Sequence, residues 1–540
     1  MFRKILRNPL FYIFLLGLIL RIYKLGEFPS GFHVDEVKVG WNAYSILKTG
    51  ADDWQTKFAL YYNTFGDFRP TGIFYLSIPS IAIFGLNEFA VRFPSALLGS
   101  LTIISLYFLA KELDKRFALT SGLMLAILPW HISLSRATSE GIDSLFFVTT
   151  GLYFFILGFK KKPKYFFLSL IFLITSYFLY HSSRVLVPLL TGLVFIYLLL
   201  VKQKINLKSI KFSVIVLLIL FSATFIFSLS RASRARLSQV SIFNDLNIQY
   251  FLQKMPFEEG NNNVLTARIF HNKIVVYGSR FIEEYSKYFS SDFYLTENGA
   301  RPSRYKTVAN GIISYAEFIL VICGLIAIFK RRYSYLPIIL LLIAPLPSAL
   351  TTEDSPNLHR SLFMIPFVVI IAGIGIYELY KTSKGLTTLI SLFTTLNMVF
   401  FLHMYFVHNP QHEPIPVSRN SGAKEAVTEI VKLEKSYDNI VLSNIPDVLY
   451  PWYAFYTRQD PKVFNDFAKV RDQGAWSFGK ITFSQFKCPT SYREKYNPSN
   501  KTIFIDSEGC DYKNLDNKLK LITEIKRPEG GIPYTFWGTN

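Results

Sequence analysis

Thr71-Gly72-Ile73-Phe74-Tyr75-Leu76-Ser77-Ile78-Pro79-Ser80-Ile81-Ala82-Ile83-Phe84-Gly85 is the stretch on which the reading of this chain turns. It is apolar enough to enter a bilayer, yet short against the ~20 residues a crossing helix needs. Pro79 interrupts it and Pro70 precedes it. Counted as a span, it puts the basic clusters Lys160–Lys164, Lys202–Lys211 and Lys330–Arg332 outside the membrane. Counted as a helix lying in the interface, it puts all three inside, together with Arg3–Arg7, Lys111–Arg116 and Lys381–Lys384. Basic residues favour the cytoplasmic side, so the charges select the interfacial helix.

Working outward, apolar runs alternate with short basic knots along most of the 540 residues. Hydrophobic residues make up 51% of the chain and charged residues only 18%, too few for the surface of a soluble protein of this size. The net charge of +20 raises the question of nucleic acid, but the Lys and Arg sit between apolar runs and are explained by topology. The pattern predicts a polytopic α-helical membrane protein. About eleven spans are expected, at Pro9–Ile22, Glu88–Leu109, Ala118–His131, Leu145–Phe159, Tyr165–Tyr180, Val185–Leu200, Phe212–Leu229, Ile312–Phe329, Leu336–Leu350, Leu362–Tyr377 and Leu386–Met404. No small-residue cleavage site follows the first run, so it reads as an uncleaved helix with a cytoplasmic N-terminus.

This arrangement gathers the first loop (residues 23–91), the short loop Ile132–Ser144, the long loop (229–312), the loop Thr351–Ser361 and the polar tail on the outer face. Residues 1–408 form the transmembrane domain and 409–540 a small extracytoplasmic α/β domain, with a helix at Ala423–Leu433 and strands at Ile440–Ser443 and Thr502–Ile505. In that compartment Cys488 and Cys510 are free to pair or to stay apart, while Cys323 lies in an apolar run. Two clusters break the charge rule: Arg231, Arg234 and Arg236, and Arg301, Arg304 and Lys306. They flank the long loop, where charge weighs less on topology, and contact with lipid phosphates is an alternative use for them.

The outer loops carry the chemistry. His33-Val34-Asp35-Glu36 places two carboxylates just beyond a span, where they are costly unless solvated or used. The segment from Pro129 to Asp143 returns Arg136, Glu140 and Asp143 to the same face. Arg69, Arg92, Arg184 and the pair His359-Arg360 recur at outer span ends. Arginine binds phosphate oxygens in a bidentate fork, although a single such Arg is more often a headgroup anchor. Convergence of acids and Arg from four loops is what favours a site. Histidines near this face, with Asp35 and Glu36, make a divalent metal an open alternative, but no close-spaced ligand pair is present. No phosphate loop, dinucleotide fingerprint or nucleophile elbow occurs.

At these residues the chain resembles the GT-C superfamily of polyprenyl-phosphate-dependent glycosyltransferases. Its nearest likeness is the bacterial branch similar to protein O-mannosyltransferases and lipid A aminoarabinose transferase. The Asp-Glu motif is matched by Asp35-Glu36, and the opening of a juxtamembrane helix by Gly66-Asp67-Phe68-Arg69-Pro70, where Thr71 replaces a frequent second Pro. Phe84 to Ser95 match a Phe-Gly-x-x-Glu-x-x-x-Arg-x-Pro-Ser segment. Pro129 to Glu140 match a Pro-Trp-His…Ser-Arg…Glu segment, and Pro356 to Arg360 a late Pro-x-x-x-Arg. The likeness is strongest over residues 1–200, returns near 345–370, and does not extend to the tail.

The resemblance implies an inverting transfer of a monosaccharide from a polyprenyl-phosphate carrier to a protein, lipid or glycan acceptor outside the plasma membrane. Asp35 would be the general base, with Glu36 and Glu140 orienting substrate. Arg69, Arg136, Arg184 and Arg360 would hold the donor phosphate, and His33, Asp67, Asp143 and His359 acceptor or sugar. A carboxylate is a weak base in water, so this role calls for burial that raises its pKa. Family members differ in metal use. The alternative is a transporter or flippase of a lipid-linked sugar, which calls for charges buried mid-span and paired repeats; neither is evident in the sequence.

Overall fold

The computed structural model describes residues 7–64, 67–201, 206–244, 246–258, 264–330, 332–443, 449–468, 475–496, 501–513, 515 and 518–539. Each expected span has a helix. Six are long and apolar enough to cross a membrane alone: Glu88–Leu113, Glu140–Lys160, His181–Val201, Leu207–Ser228, Leu362–Thr382 and Lys384–Gln411. A seventh results if Ala118–Ile127 and Pro129–Ser135, bent by 58° at Leu128, count as one. Pro9–Ile22, Tyr165–Tyr177, Tyr315–Phe329 and Leu336–Ala349 are shorter, so length alone does not establish the count of eleven.

Local chemistry starts these helices where they start. Asn8, Asn87, Ser139, Asn206, Ser314 and Ser383 each accept a backbone N–H of the first turn, satisfying donors that have no partner within the helix. In the bundle, Tyr315–Phe329 crosses Ile365–Thr382 at Gly324 and Gly375. A Cβ on either would lie 1.9 Å from a backbone carbonyl oxygen of the other helix, so only glycine allows this approach.

The deciding stretch is the helix Gly72–Phe84, containing Pro79. Its 13 residues reach only about 20 Å, well short of a hydrocarbon core. A two-stranded hairpin leads into it, β1 (Tyr61–Thr64) antiparallel to β2 (Asp67–Pro70), and Thr71 Oγ1 donates to the carbonyl of Ala59. Ile73, Phe74 and Ile81 are buried in a cluster that also holds Val37 and Trp41 of the first loop.

The tail builds a six-stranded mixed sheet in the order β4-β5-β3-β6-β8-β7. Its strands are β3 Asn439–Ser443, β4 Trp476–Phe478, β5 Ile481–Ser484, β6 Thr502–Ser507, β7 Leu519–Ile525 and β8 Tyr534–Thr539. The two strands read from the sequence are its centre and pair in parallel, Ile440 opposite Ile503. The helix read at Ala423–Leu433 has those bounds and buries Ala423, Ala426, Val427 and Ile430, one stripe of the 3.6-residue period. Cys488 and Cys510 are joined in a disulfide.

Sheet domain and first loop share one hydrophobic core. Trp452 Nε1 donates to the carbonyl of Phe32 (2.9 Å), Trp41 Nε1 to Asn465 Oδ1 (3.3 Å), and Asn465 Nδ2 to Ser45 Oγ (2.9 Å). Phe32 and Phe455 pack with ring centroids 5.1 Å apart. The tail is therefore built onto the helix that carries Asp35.

Candidate active site

That helix, Val34–Thr49, begins in a reciprocal capping box. His33 Nδ1 accepts the N–H of Asp35 (3.1 Å), and Glu36 Oε2 accepts the N–H of His33 (3.2 Å). Two acids in a first turn also suit the helix dipole. Successive residues on a helix point about 100° apart, so the adjacent carboxylates face different surroundings.

Asp35 lines a cavity of about 740 Å3 between the bundle and the loops that join its helices, the size of a small-ligand site. Its carboxylate, 26% exposed, meets Arg69 Nη1 at 2.9 Å and Arg304 Nη2 at 4.0 Å. Burial pushes its pKa up, but the combined pull of Arg69 and Arg304 prevails and holds it far below the usual carboxylate range. The expected rise of the Asp35 pKa is thus reversed, because cations more than offset the burial.

Glu36 turns the other way and is buried as the hub of an ion cluster. Arg92 Nε meets its Oε1 at 3.0 Å, Arg419 Nη2 donates to its Oε2, and the N–H of Thr138 donates to Oε1 (3.1 Å). Arg92 also donates to the carbonyls of Leu25 and Gly31, and Arg419 to those of Ser30 and Arg304. Burial pushes the Glu36 pKa up, yet Arg92 and Arg419 bring it down to about 2. Glu36 fastens four segments together and does not line the cavity.

Glu140 lines the cavity from the first turn of its helix, which Ser139 caps. Gly141 beside it lets His359 close in, since a Cβ there would lie 3.1 Å from His359 Nε2. His359 meets Ser139 Oγ at 3.0 Å and stacks on Tyr305 at 5.5 Å. His33 and His359 both line the cavity, and both have pKa values lowered to about 3, by burial first and then by Arg304. Both imidazoles are neutral at working pH. On His33 the capping bond to Nδ1 places the proton on Nε2.

Further cations line the cavity. Arg184 lines it and donates from Nη1 to Tyr61 OH (2.9 Å) and Ser233 Oγ (3.0 Å), with its guanidinium 4.5 Å from the Phe227 ring centroid. Arg360 lines it and donates to Thr351 Oγ1 (2.9 Å). Arg236 and Arg304 join them. These two come from the clusters that break the charge rule, so each cluster gives one residue to the site. A short bridge, Arg301 N–H to the carbonyl of Pro356 and Leu358 N–H to the carbonyl of Arg301, brings Arg304 beside His359.

Two other expected site residues lie elsewhere. Arg136 is buried beneath the loops, donating to the carbonyls of Leu20, Tyr23 and Phe28 and stacked on Tyr405 and Phe406, so its fork is already occupied. Asp143 is buried one turn behind Glu140 and does not line the cavity. The Asp67 side chain lies outside the described residues. Lys38 was missed: it lines the cavity three residues after Asp35, a spacing that shares a helix face. Tyr305 and Arg419 carry no such local signal. Among the described residues, no three His, Cys, Asp or Glu side chains gather as a metal site. Asp35 is surrounded by cations, which does not fit a metal ion there.

Residues 69–227 match the family model described as dolichyl-phosphate-mannose-protein mannosyltransferase. An uncharacterized protein of Aquifex aeolicus (strain VF5) is 30% identical over 246 residues, 44% of this chain and 47% of that protein. The chain thus spans about half the length of the curated relative it matches. The structure of ArnT from Cupriavidus metallidurans bound to undecaprenyl phosphate aligns over 98% of this chain and 96% of that one, with TM-score 0.51 and 12% identity, a likeness of fold. The oligosaccharyltransferase AglB from Archaeoglobus fulgidus, in complex with an inhibitory peptide and a dolichol-phosphate, aligns over 84% of this chain and 63% of that one, with TM-score 0.46 and 12% identity.

The chain is a multi-pass membrane protein with a GT-C fold and a C-terminal sheet domain. The resemblance read from the sequence is supported over residues 69–227 by the mannosyltransferase family model.

Proposed function

We propose that this protein is an inverting glycosyltransferase that moves a monosaccharide from a polyprenyl-phosphate carrier to an acceptor at the outer face of the plasma membrane. The observation that carries this reading is one cavity in which the carboxylates Asp35 and Glu140 share space with Arg69, Arg184, Arg236, Arg304 and Arg360. Transfer between a sugar phosphate and a hydroxyl or amine calls for both, a base for the acceptor proton and a cationic cradle for the leaving phosphate. The acceptor attacks the anomeric carbon, its bond to the phosphate oxygen breaks, and the polyprenyl phosphate leaves into the arginine cradle. The acceptor proton passes to Asp35.

The low pKa of Asp35 fits this scheme if the donor completes the base. A phosphate bound between Arg69 and Arg304 shares their charge, weakens their hold on Asp35 and makes it more basic when the proton departs. Glu140 and the neutral imidazoles of His33 and His359 are placed to hydrogen-bond sugar or acceptor. Residues 1–408 make the transmembrane unit and 409–540 the extracytoplasmic one, and the Cys488–Cys510 disulfide supports an oxidising compartment for the latter.

The test is sugar transfer by purified, reconstituted protein across a panel of polyprenyl-phosphate monosaccharides. The parent should turn over at least one donor and a folded Asp35→Asn should lose at least a hundredfold. Equal transfer by both would move the base to Glu140. A parent that neither transfers nor binds any polyprenyl phosphate would overturn the reading.

A further inference from the structure

The long outer loop should, if bathed in water, turn its apolar side chains inward. Part of it does not. On the helix Lys273–Lys287, Ile274 is 85% exposed and Ile282, about 80° round the helix from it, is 65% exposed. Phe281 and Tyr285 of the same helix pack against the bundle core, with Tyr285 OH donating to the carbonyl of Leu342 (2.7 Å). Ile274 lies within about 20° of Phe281 and Tyr285 around the helix, so one apolar face runs along it and the bundle covers only part of that face. On Val264–Phe270, Leu265 is 68% exposed, and on Leu246–Glu258, Phe257 is 72% exposed. Exposed apolar surface on this scale marks a face that is covered in use.

Two features identify what covers it. The loop hangs from the span Leu207–Ser228, whose Ile226, 66% exposed, faces outward at the end of that span, so apolar exposure passes without a break from span into loop. Exposed Lys254, Arg268 and Lys273 are interleaved with the apolar residues, the composition of helices that lie in a headgroup layer. We infer that the helices of residues 246–287 seat in the outer leaflet, their apolar residues among acyl chains and their cations on anionic headgroups. This seat is separate from the reaction proposed above. It has a consequence for the cavity, because the root of the loop, the helix Arg231–Val240, supplies Ser233, Arg236 and Gln239 to its wall. Seating the loop fixes that wall at headgroup depth.

The full-length chain carrying Cys323→Ala, with its disulfide intact, is placed in nanodiscs of anionic phospholipid. Single cysteines replace Leu265, Ile274 and Ile282 in turn and are labelled with an environment-sensitive fluorophore, and lipids with doxyl quenchers are added. Ile226→Cys on the span and Val463→Cys on the tail domain, 50% exposed, are the references. Quenching at the three loop sites should reach at least half of that at Ile226 and exceed that at Val463 several-fold. Quenching equal to that at Val463 at all three sites would overturn the seat. So would labels that are shielded from water without lipid quenching and in proportion to protein concentration, which would assign the face to a second copy of the chain.

Discussion

Arg419 and Glu36, 383 residues apart in the chain, meet as a buried ion pair next to the cavity carboxylate Asp35. The tail thereby supports the turn that carries the proposed base. The tail's contacts run to the first loop and, through Arg419 and His412, to Arg304 and Glu297 of the long loop.

Replacing Arg419 by Met leaves Glu36 buried with Arg92 as its remaining cation, which should cost on the order of 3 kcal/mol. Arg419→Lys should recover only part, since one ammonium cannot serve Glu36 and the carbonyls of Ser30 and Arg304 together. The folded pKa of Glu36, about 2, lies below its ordinary 4.5, so its contribution is complete above pH 4.5 and is lost as pH falls towards 2. Loss of Arg419 raises the folded value, and acid destabilisation should begin at higher pH. Thermal unfolding in detergent across pH reads both effects; a variant matching the parent at every pH would deny the cluster an energetic role.

Asp35 is held ionised throughout the working range, so its protonation gives the parent no acid limb in kcat/KM above pH 5. In Arg69→Gln only the more distant Arg304 opposes burial, and the Asp35 pKa moves up. An acid limb should then enter the profile, separately from any rise in KM through a lost phosphate contact. Parallel profiles for parent and variant would refute this electrostatic account.

Gly40 lies inside a helix, where Ala is ordinarily better by about 1 kcal/mol. Here a Cβ would come within 2.6 Å of Phe455 Cε2 and 2.7 Å of Val91 Cγ2. The sign should therefore invert: Gly40→Ala should destabilise, and Gly40→Val should cost about 1–3 kcal/mol and loosen tail from loop. Melting temperature and protease cleavage of the tail measure it, and a stabilised Gly40→Ala would contradict the tight junction.

The disulfide joins residues 22 apart, and its loss through Cys488→Ser with Cys510→Ser should cost the sheet domain about 3 kcal/mol. Unfolding of the parent should become sensitive to reductant, and that of the double variant should not. Equal reductant sensitivity would mean that the bond contributes nothing there.

Much of this was legible because it is periodic or local. Apolar runs gave a helix for every expected span, and the stripe at Ala423, Ala426, Val427 and Ile430 gave the tail helix with its bounds. Asp35, Glu140, Arg69, Arg184, Arg360, His33 and His359 share the cavity because their motifs sit at helix starts or in the loops beside them. The direction of a side chain was not legible. Asp35 and Glu36 are neighbours in one motif, and only the packing of Arg92 and Arg419 separates the cavity residue from the hub. Arg136 looked like a phosphate ligand until carbonyls of the first loop occupied it. Arg304 pairs with Asp35 across a distance in sequence that no local pattern spans.

The position of Arg419 also sets the order in which the protein can be completed. Synthesis runs from the N-terminus, so Glu36, Arg92 and every expected catalytic motif leave the ribosome before the second cation of the cluster exists. Until residue 419 arrives, the turn bearing Asp35 has one of its two arginine fastenings and the sheet domain has not docked on Phe32 and Trp41. A nascent or truncated chain can thus hold all the cavity residues named here and still lack their final registration, and the last quarter of the sequence acts as the closing step of assembly.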